Sequence, residues 1–208
     1  MDIEVKKSVI NNKNIKYNST QLDIMYAAEV VIGKKGIENT THRNIIKQSN
    51  QKNISAINYH FKNLDEMGKC VGKELGISDW IEITQDKISV FAKITEDEQW
   101  IHLDAEKCAK ESPYKTTIAH GFMILSLASR FSYDTVTIGS VKMGVNYGVD
   151  KVRFMSATPS GGLVRGRVSL LEFEIKPGGA KYKLGITVEL KGQEKPVCVA
   201  ETLAIGYE

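Results

Sequence analysis

The segment "TTIAHGFMILSLASRF", residues 116–131, decides the fold of this chain because it separates two regions with different periodicities. It is apolar over a helical length and polar at only a few positions, so a helix here must be surrounded by other structure. Beyond residue 140 the chain is rich in Val, Ile, Leu and aromatic residues that partly alternate, with turns such as "KPGGAK" between the runs. This pattern predicts an antiparallel sheet. We therefore expect an α+β fold whose sheet wraps around this helix.

The region before it, residues 19–66, has the pattern of three short helices. Apolar residues recur on one face of the first helix, and Gly36 follows two lysines as at a helix end. "NTTHRNIIKQSN" predicts a second short helix, and the polar turn "NQKN" precedes a third, roughly Ile54–Phe61. This order is typical of a helix-turn-helix unit. Glycines then interrupt "DEMGKCVGKELG", so we expect one domain over residues 1–67 and a second over 68–208.

Composition and charge limit the classes of function. The 208 residues carry a net charge of +3, but residues 1–70 hold 11 Lys and Arg against 7 Asp and Glu. A basic first third on a near-neutral remainder favours an anionic partner for that third alone. The three cysteines show no close pairing, which indicates neither a disulfide framework nor a zinc site. No signal peptide or membrane-spanning run is present, so we expect a cytoplasmic protein without a membrane partner.

"TEDEQWIHLD", residues 95–104, is an acidic stretch that also contains an apolar Trp-Ile pair and a histidine. Asp97 and His102 lie five residues apart in it, and His120 directly precedes Gly121 at the start of the apolar segment. A carboxylate and an imidazole that share one water can add hydroxide and a proton across a polarised double bond. Free N–H groups around Gly121 could stabilise the enolate oxygen. By spacing alone the pair could arise by chance, and His120 could be an ordinary core histidine.

Two longer segments, "FAKITEDEQWIHLDAEKCAKESPYKTTIAHGFMILSL" and "VNYGVDKVRF", resemble the MaoC-like, (R)-specific enoyl-CoA hydratases, especially their NodN-like branch. The resemblance covers about residues 72–208. It implies a hot-dog fold, an antiparallel sheet curled around a long central helix, normally paired as a homodimer. It also implies that Asp97 and His102 are the acid–base pair and that the Gly121 backbone N–H serves the oxyanion hole. The implied substrate is an acyl-CoA or acyl-carrier thioester, and the implied reaction needs neither cofactor nor metal.

Four further residues are candidates for the substrate cleft in this resemblance. Trp100 would exclude water from the acid–base pair, and Ser126 could support either the helix or the acidic partner. Asn146 and Tyr147 could line the acyl or CoA cleft, although a plain strand role fits them equally well. Many of these hydratases have Asn-Pro between the pair, whereas this chain has Gln99 and Trp100, which leaves the acyl chain length open.

The segment "AAEVVIGKKGIENTTHRNIIKQSNQKNISAINYHFKNLDEM" resembles the DNA-binding head of TetR-like regulators, and the resemblance implies that the third helix enters the major groove. The implied phosphate contacts are Thr41, Tyr59, His60 and Lys62, and the implied base contacts are Asn53, Ser55, Ala56 and Asn58. Alternatively, Tyr59 and Phe61 are core aromatics of a small domain. TetR-like proteins continue into an all-helical ligand domain, whereas here the fourth helix, which begins at "NLDEM", stops within a few residues.

These features predict a hydratase or dehydratase that interconverts trans-2-enoyl-CoA and (R)-3-hydroxyacyl-CoA and carries a DNA-binding-like head. The head could act on DNA or be a fusion passenger. The rival is an acyl-CoA-responsive transcription regulator that uses the hot-dog domain as its sensor. Retention of both Asp97 and His102 argues against it, since a sensor needs no acid–base pair. A thioesterase is disfavoured because those enzymes place their carboxylate differently.

Overall fold

The computed structural model describes residues 19–36, 45, 48, 49 and 59–208. The chain divides into two compact units, Met1–Ala56 and Ile57–Glu208. The first unit contains helix α1, Ser19–Lys35, with Ala27 and Val31 buried. Gly36 ends this helix in the left-handed region, at a φ of 76°, and its N–H donates to the carbonyl of Ile32 at 2.8 Å. The predicted first helix and its glycine stop are therefore confirmed.

The second unit combines helices with a large antiparallel sheet, as the sequence predicts, and with a small two-stranded parallel sheet that it does not. Its helices are α2 Leu64–Gly68, α3 Gln85–Thr95, α4 Trp100–Leu103, α5 Ala105–Glu111, α6 Gly121–Ser126 and α7 Ala128–Thr135. The strands are β1 Tyr59–Phe61, β2 Glu74–Ile77, β3 Ile81–Ile83, β4 Val136–Ile138, β5 Met143–Phe154, β6 Gly162–Lys176, β7 Gly179–Leu190 and β8 Cys198–Tyr207. Within the described residues, no helix is long and apolar enough to cross a membrane.

The main sheet is antiparallel and has the strand order β2-β6-β7-β8-β5, with β3 paired to the start of β6. A tight turn joins β6 to β7, where Lys176 pairs with Gly179 and Gly178 has a φ of 76°. That positive φ explains why glycine occurs in this turn. Strand β5 lies at one edge, and nearly all of its side chains are exposed. The sheet therefore ends on a long strand whose outer edge has no partner among the described residues.

The helical segment α6–α7 packs on one face of this sheet and forms the core with it. Met123, Ile124 and Phe131 are buried together with alternate residues of β6 and β7. The helix predicted over the apolar segment is interrupted at Leu127, so two short helices replace one long helix. Phe131 lies so close to the main chain of β6 that a Cβ built on Gly166 would come within 2.3 Å of its ring. A glycine at this position lets helix and sheet approach closely.

The predicted third helix, Ile54–Phe61, is wrong at its C-terminal end. Tyr59–Phe61 form strand β1, which pairs in parallel with Val136–Ile138, and the N–H of Gly139 donates to the Phe61 carbonyl at 2.8 Å. Phe61 is buried in the core of the second unit. Burial of one aromatic side chain and the backbone pairing of three residues outweigh a helical periodicity that rests on three apolar positions. The chain from Tyr59 onward therefore belongs to the second unit.

Most of the predicted DNA-contacting residues lie outside the residues that the structure describes. Thr41, Asn53, Ser55, Ala56 and Asn58 lie outside the described residues. For Tyr59 and His60 the structure describes only the backbone, which is part of β1, and not the side chains. Lys62 follows β1 and donates its N–H to Glu66 Oε2 at 2.8 Å. Lys62 thus lies at the start of α2 in the second unit, not on a recognition helix.

Candidate active site

A residue in the left-handed region ends helix α3 at the start of the acidic stretch. Helix α3 is capped at its start by Thr84, whose Oγ1 accepts from the Lys87 N–H at 3.3 Å. The helix ends at Thr95, and Glu96 has a φ of 58°. A non-glycine residue in this conformation reverses the chain direction at a small cost. Asp97 therefore leaves the helix axis and leads into the four-residue helix α4.

His102 is buried at this site, and its hydrogen bond determines its tautomer. Its side chain lies in α4 with only 7% of the residue exposed, and Nδ1 is 2.7 Å from the carbonyl oxygen of Ile118. Because a carbonyl can only accept, Nδ1 carries the hydrogen and Nε2 keeps its lone pair. Loss of solvation lowers the pKa of His102, against the Ile118 carbonyl, which raises it. A neutral imidazole with Nε2 free is the form that can take a proton from water.

His120, the second histidine of this site, is hydrogen-bonded to the acidic loop. It precedes the first residue of α6 and is buried, and its Nε2 donates to the backbone carbonyl of Asp97 at 2.9 Å. Its ring stacks on that of His102, with centroids 3.6 Å apart, and lies 5.1 Å from the ring of Phe91. Its Nδ1 is buried and has no hydrogen-bond partner in the part of the chain that the structure describes. His120 is thus both a core histidine and the clamp on Asp97.

Asp97 and His102, which are five residues apart, converge with His120 from a separate segment of the chain. One ligand atom from each lies within 4.8 Å of the others. The Asp97 carboxylate is 58% exposed and 4.0 Å from His120 Nε2, whose hydrogen already points at the Asp97 carbonyl. Two imidazoles and a carboxylate could also bind a divalent cation, and among the described residues this is the only such group. A carboxylate and a neutral imidazole this close are also groups that can act together on one water.

Gly121 starts helix α6 and lies against an aromatic ring. The first N–H groups of a helix have no partner within it, and His120, the capping residue, makes no side-chain capping bond. A Cβ built on Gly121 would lie 2.8 Å from the ring of Phe154, which in turn meets Phe122 edge-on at 5.6 Å. The space beside the Gly121 Cα is therefore occupied by the Phe154 ring.

The four predicted cleft residues divide into two groups. Trp100 is the first residue of α4, and the Lys107 ammonium lies 4.7 Å from its ring centroid. Ser126, Asn146 and Tyr147 all line one groove of about 460 Å³ between α6–α7 and strands β5, β7 and β8. Ser126 donates to the carbonyl of Met123 at 2.7 Å, and Asn146 donates to Ser129 at 3.1 Å. Ser126 therefore bonds its own helix, not Asp97.

Two residues that the sequence did not single out bear directly on the site. Gln85 Nε2 donates to the carbonyl of His102 at 2.8 Å, and the hydroxyl of Thr117 donates to Gln85 Oε1 at 2.6 Å. These pairs lie 17 and 32 residues apart. In the sequence, Gln85 has only the features of a polar residue at a helix start, and Thr117 those of a polar position near an apolar helix. No local pattern connects them to the histidine.

Comparison with known proteins identifies the family. The family model of the MaoC like domain matches residues 66–190. The chain is 42% identical over 144 residues to 3-hydroxyacyl-thioester dehydratase Z of Mycobacterium tuberculosis, which covers 69% of this chain and 95% of the relative. It is 40% identical over 150 residues to nodulation protein N of Rhizobium leguminosarum bv. viciae, at 70% and 92% coverage. The chain therefore belongs to the MaoC-like dehydratase family.

Solved structures support the fold assignment. The (R)-hydratase PhaJ1 from Pseudomonas aeruginosa superposes with a TM-score of 0.55 at 20% identity, over 66% of this chain and 82% of that one. An (R)-hydratase from A. caviae superposes with a TM-score of 0.53 at 18% identity, over 64% and 94%. Identities this low speak for the fold alone. The predicted hot-dog fold and the predicted enzyme class are confirmed, while the TetR-like resemblance lies outside the family match and stays a prediction.

Proposed function

We propose that this protein catalyses the reversible hydration of a trans-2-enoyl thioester to an (R)-3-hydroxyacyl thioester. The observation that carries the proposal is the tautomer of His102. Its Nδ1–H is held by the Ile118 carbonyl, its Nε2 lone pair is free, and its pKa is lowered by burial. Such a base lies within 4.8 Å of the other two groups of the cluster, including the Asp97 carboxylate. The activity named for the dehydratase Z relative supports this reaction.

The proposed reaction uses one water held between Asp97 and His102. The Asp97 carboxylate accepts one hydrogen of this water, and His102 Nε2 removes the other. The water oxygen forms a bond to C3 as the C2–C3 double bond becomes an enolate. The proton is then returned to C2, which regenerates both groups. Dehydration is the same path in reverse, so neither direction needs a cofactor or a metal.

The enolate oxygen requires a hydrogen-bond donor, and Gly121 is the proposed one. Its N–H is in the first turn of α6, where helical N–H groups lack internal partners and the helix dipole favours negative charge. Absence of a side chain lets a thioester carbonyl approach the backbone. In this structure Phe154 borders that approach, so the thioester would lie alongside its ring.

The groove lined by Ser126, Asn146 and Tyr147 is the proposed acyl site. It begins at Leu125, four residues beyond Gly121, which is about 6 Å along a helix. Its walls are mainly apolar, with Val145, Val149 and Leu184 among them, as expected for a hydrocarbon chain. A thioester at Gly121 could therefore place its acyl chain along α6.

We also propose that the active form is a homodimer joined through β5. This edge strand exposes four large apolar side chains, those of Met143, Val145, Tyr147 and Val149. A long exposed edge of this kind is usually paired or covered. A second copy supplies the same edge in the opposite direction, which suits an antiparallel pair.

The DNA-binding role of residues 19–67 is a separate proposal, supported by the basic charge of residues 1–70 and by the motif resemblance. Binding by one such head should be weak and should decrease steeply with salt. Titration of labelled duplexes with the full chain at two salt concentrations, with and without an acyl-CoA, tests it. Tight binding to a palindromic site that changes with acyl-CoA would favour a regulator over an enzyme.

The decisive experiment for the enzyme is a spectrophotometric assay with crotonyl-CoA. Asp97→Asn and His102→Gln should each lower kcat by about 100-fold or more, the usual size of an acid–base contribution. Glu98→Gln is the matched control, because it neutralises an exposed carboxylate one residue away and should leave the rate unchanged. Near-full activity in either of the first two variants would exclude the assigned pair.

A further inference from the structure

We propose that Gln85 and Thr117 are positioning residues that hold His102 in its reactive orientation and tautomer. The inference rests on the proposed function, because it assigns them a role in the same site. Neither residue belongs to the Asp97, His102 and His120 cluster that faces the water. They act on His102 through its main chain and through the carbonyl that its ring contacts.

The hydrogen bonds form a closed ring around His102. Gln85 Nε2 donates to the His102 carbonyl at 2.8 Å, and the Thr117 hydroxyl donates to Gln85 Oε1 at 2.6 Å. The next residue, Ile118, accepts from His102 Nδ1 at 2.7 Å. The ring therefore connects the main chain of His102 to the acceptor of its own side chain. Movement of either end would alter the other.

The chemistry of the partners leaves a single pattern of donors in this ring. The His102 carbonyl can only accept, so the amide nitrogen of Gln85 must face it. That orientation leaves Oε1 toward Thr117, whose hydroxyl is then the donor. Thr117 is 3% exposed, so solvent cannot readily replace the partner that its hydroxyl would lose.

The ring compensates for the short length of α4. A helix of four residues, Trp100–Leu103, has little internal hydrogen bonding with which to hold a side chain in place. Gln85 connects it to the first turn of the eleven-residue helix α3. On the other side, the Ile118 N–H donates to the Ile101 carbonyl at 3.0 Å, and the Thr117 carbonyl accepts from the Ser160 N–H at 2.9 Å. The catalytic histidine is thus held by elements more rigid than its own.

Breaking this ring of hydrogen bonds should allow the other tautomer of His102 to form. Without Gln85, the Thr117 hydroxyl and the His102 carbonyl both lose a partner, and the Ile118 carbonyl is less well placed over Nδ1. The imidazole hydrogen could then reside on Nε2, which would remove the lone pair that is proposed to accept a proton from water. A displacement of about 1 Å at a catalytic group can cost as much as 100-fold in rate.

The test compares Gln85→Leu and Thr117→Val, which keep size and remove hydrogen bonding, with Thr117→Ser, which keeps the hydroxyl. Thr135→Val is the matched control, because it removes an equally buried hydroxyl that bonds only within its own helix. Crotonyl-CoA kinetics give kcat and KM for each full-length variant. Nitrogen-15 spectra of the imidazoles report the tautomer, with the His102 signals assigned by their loss in His102→Gln.

We expect Gln85→Leu and Thr117→Val to lower kcat by about 10-fold to 100-fold, with KM within about twofold, because neither side chain contacts the substrate. The double variant should lose little more than either single one, since the ring is already broken. The wild-type chain and Thr117→Ser should show His102 protonated on Nδ1, and the two disruptive variants a mixture. Thr135→Val should match wild type in both measurements.

An unchanged tautomer in Gln85→Leu and Thr117→Val would overturn the inference, even if kcat fell, because the loss would then reflect packing alone. Should Gln85→Leu fail to fold, Thr117→Val and Thr117→Ser make the same comparison. If the wild-type chain did not hydrate crotonyl-CoA, the proposed function would fail. The tautomer spectra would still decide the positioning role.

Discussion

The imidazole rings of His102 and His120 stack with their centroids 3.6 Å apart and their planes inclined by 24°. Each ring donates to a backbone carbonyl, His102 through Nδ1 to Ile118 and His120 through Nε2 to Asp97. Two protonated rings at this distance would repel each other, and His120 lowers the pKa of His102 in addition to the larger effect of burial. The stacking of these two rings therefore favours a neutral His102 imidazole, the form that can act as a base.

The first prediction concerns the acidic limb of the pH–rate profile. Burial lowers the pKa of His102 below its ordinary 6.5, and the base must be neutral to act. We expect kcat to be constant near neutral pH and to decrease only below pH 6.5, as the pH falls through the lowered pKa. Stopped-flow hydration of crotonyl-CoA from pH 8 to pH 5 measures it. A limb centred above 6.5 would contradict a buried neutral base.

The same pKa has a consequence for stability. The unfolded chain binds a proton at His102 more tightly than the folded one, so stability is retained above pH 6.5 and is lost as the pH falls from there toward the lowered folded pKa. The His102→Gln substitution removes this pH-dependent contribution to the free energy of unfolding. Its melting temperature should therefore decrease less than that of wild type between pH 7.5 and pH 5, and equal decreases would contradict the assignment.

Gly121→Ala tests the space beside the proposed oxyanion donor. The new Cβ would meet the Phe154 ring at 2.8 Å, a distance that forces the ring to move. We expect kcat/KM to fall by about 10-fold or more, with little change in melting temperature, because Ala is the better helix former.

Phe154→Ala in the same background separates two causes of that loss. Recovery of activity in the double variant would show that the displaced ring obstructs the thioester. Persistent loss would show that the methyl group itself blocks approach to the backbone. Full activity of Gly121→Ala alone would remove Gly121 from the site.

The edge strand should determine the oligomeric state. Val145→Lys places a charge among the exposed apolar residues of β5, and desolvating it in an interface is costly. We expect wild type to elute as a dimer and Val145→Lys as a monomer in size-exclusion chromatography with light scattering. Val90→Lys, the same change on an exposed helical valine, should remain dimeric. A dimeric Val145→Lys would place the interface elsewhere.

The start of the catalytic unit can be tested by truncation. Phe61, Leu64 and Met67 are all buried in the second unit, and burial of each such side chain contributes roughly 1.5–3 kcal/mol. A chain of residues 57–208 should therefore unfold at a clearly higher urea concentration than one of residues 69–208. Equal midpoints would show that the segment from 57 to 68 adds nothing to the fold, and would favour the domain start predicted at residue 68.

The sequence alone determined the α+β fold class and the family to which the chain belongs. Alternation in the strands and the glycine stop at Gly36 are local signals, and the elements they predict are present. The apolar segment around residues 116–131 does form helix, but as two short helices and not as the single one predicted. The acid–base candidates Asp97 and His102 could also be found from the sequence, because both lie in one short segment that carries a contiguous family motif.

Tertiary structure decided what local signals could not. Tyr59–Phe61 pair as a strand because β4 and an apolar core are available to them, although their own periodicity fits a helix. The tautomer of His102 depends on a carbonyl 16 residues away, and Gln85 reaches Thr117 across 32 residues. Hydrogen bonds between distant segments require the chain to fold first, so no spacing in the sequence encodes them. The nitrogen of His102 that carries the hydrogen is therefore decided by the fold.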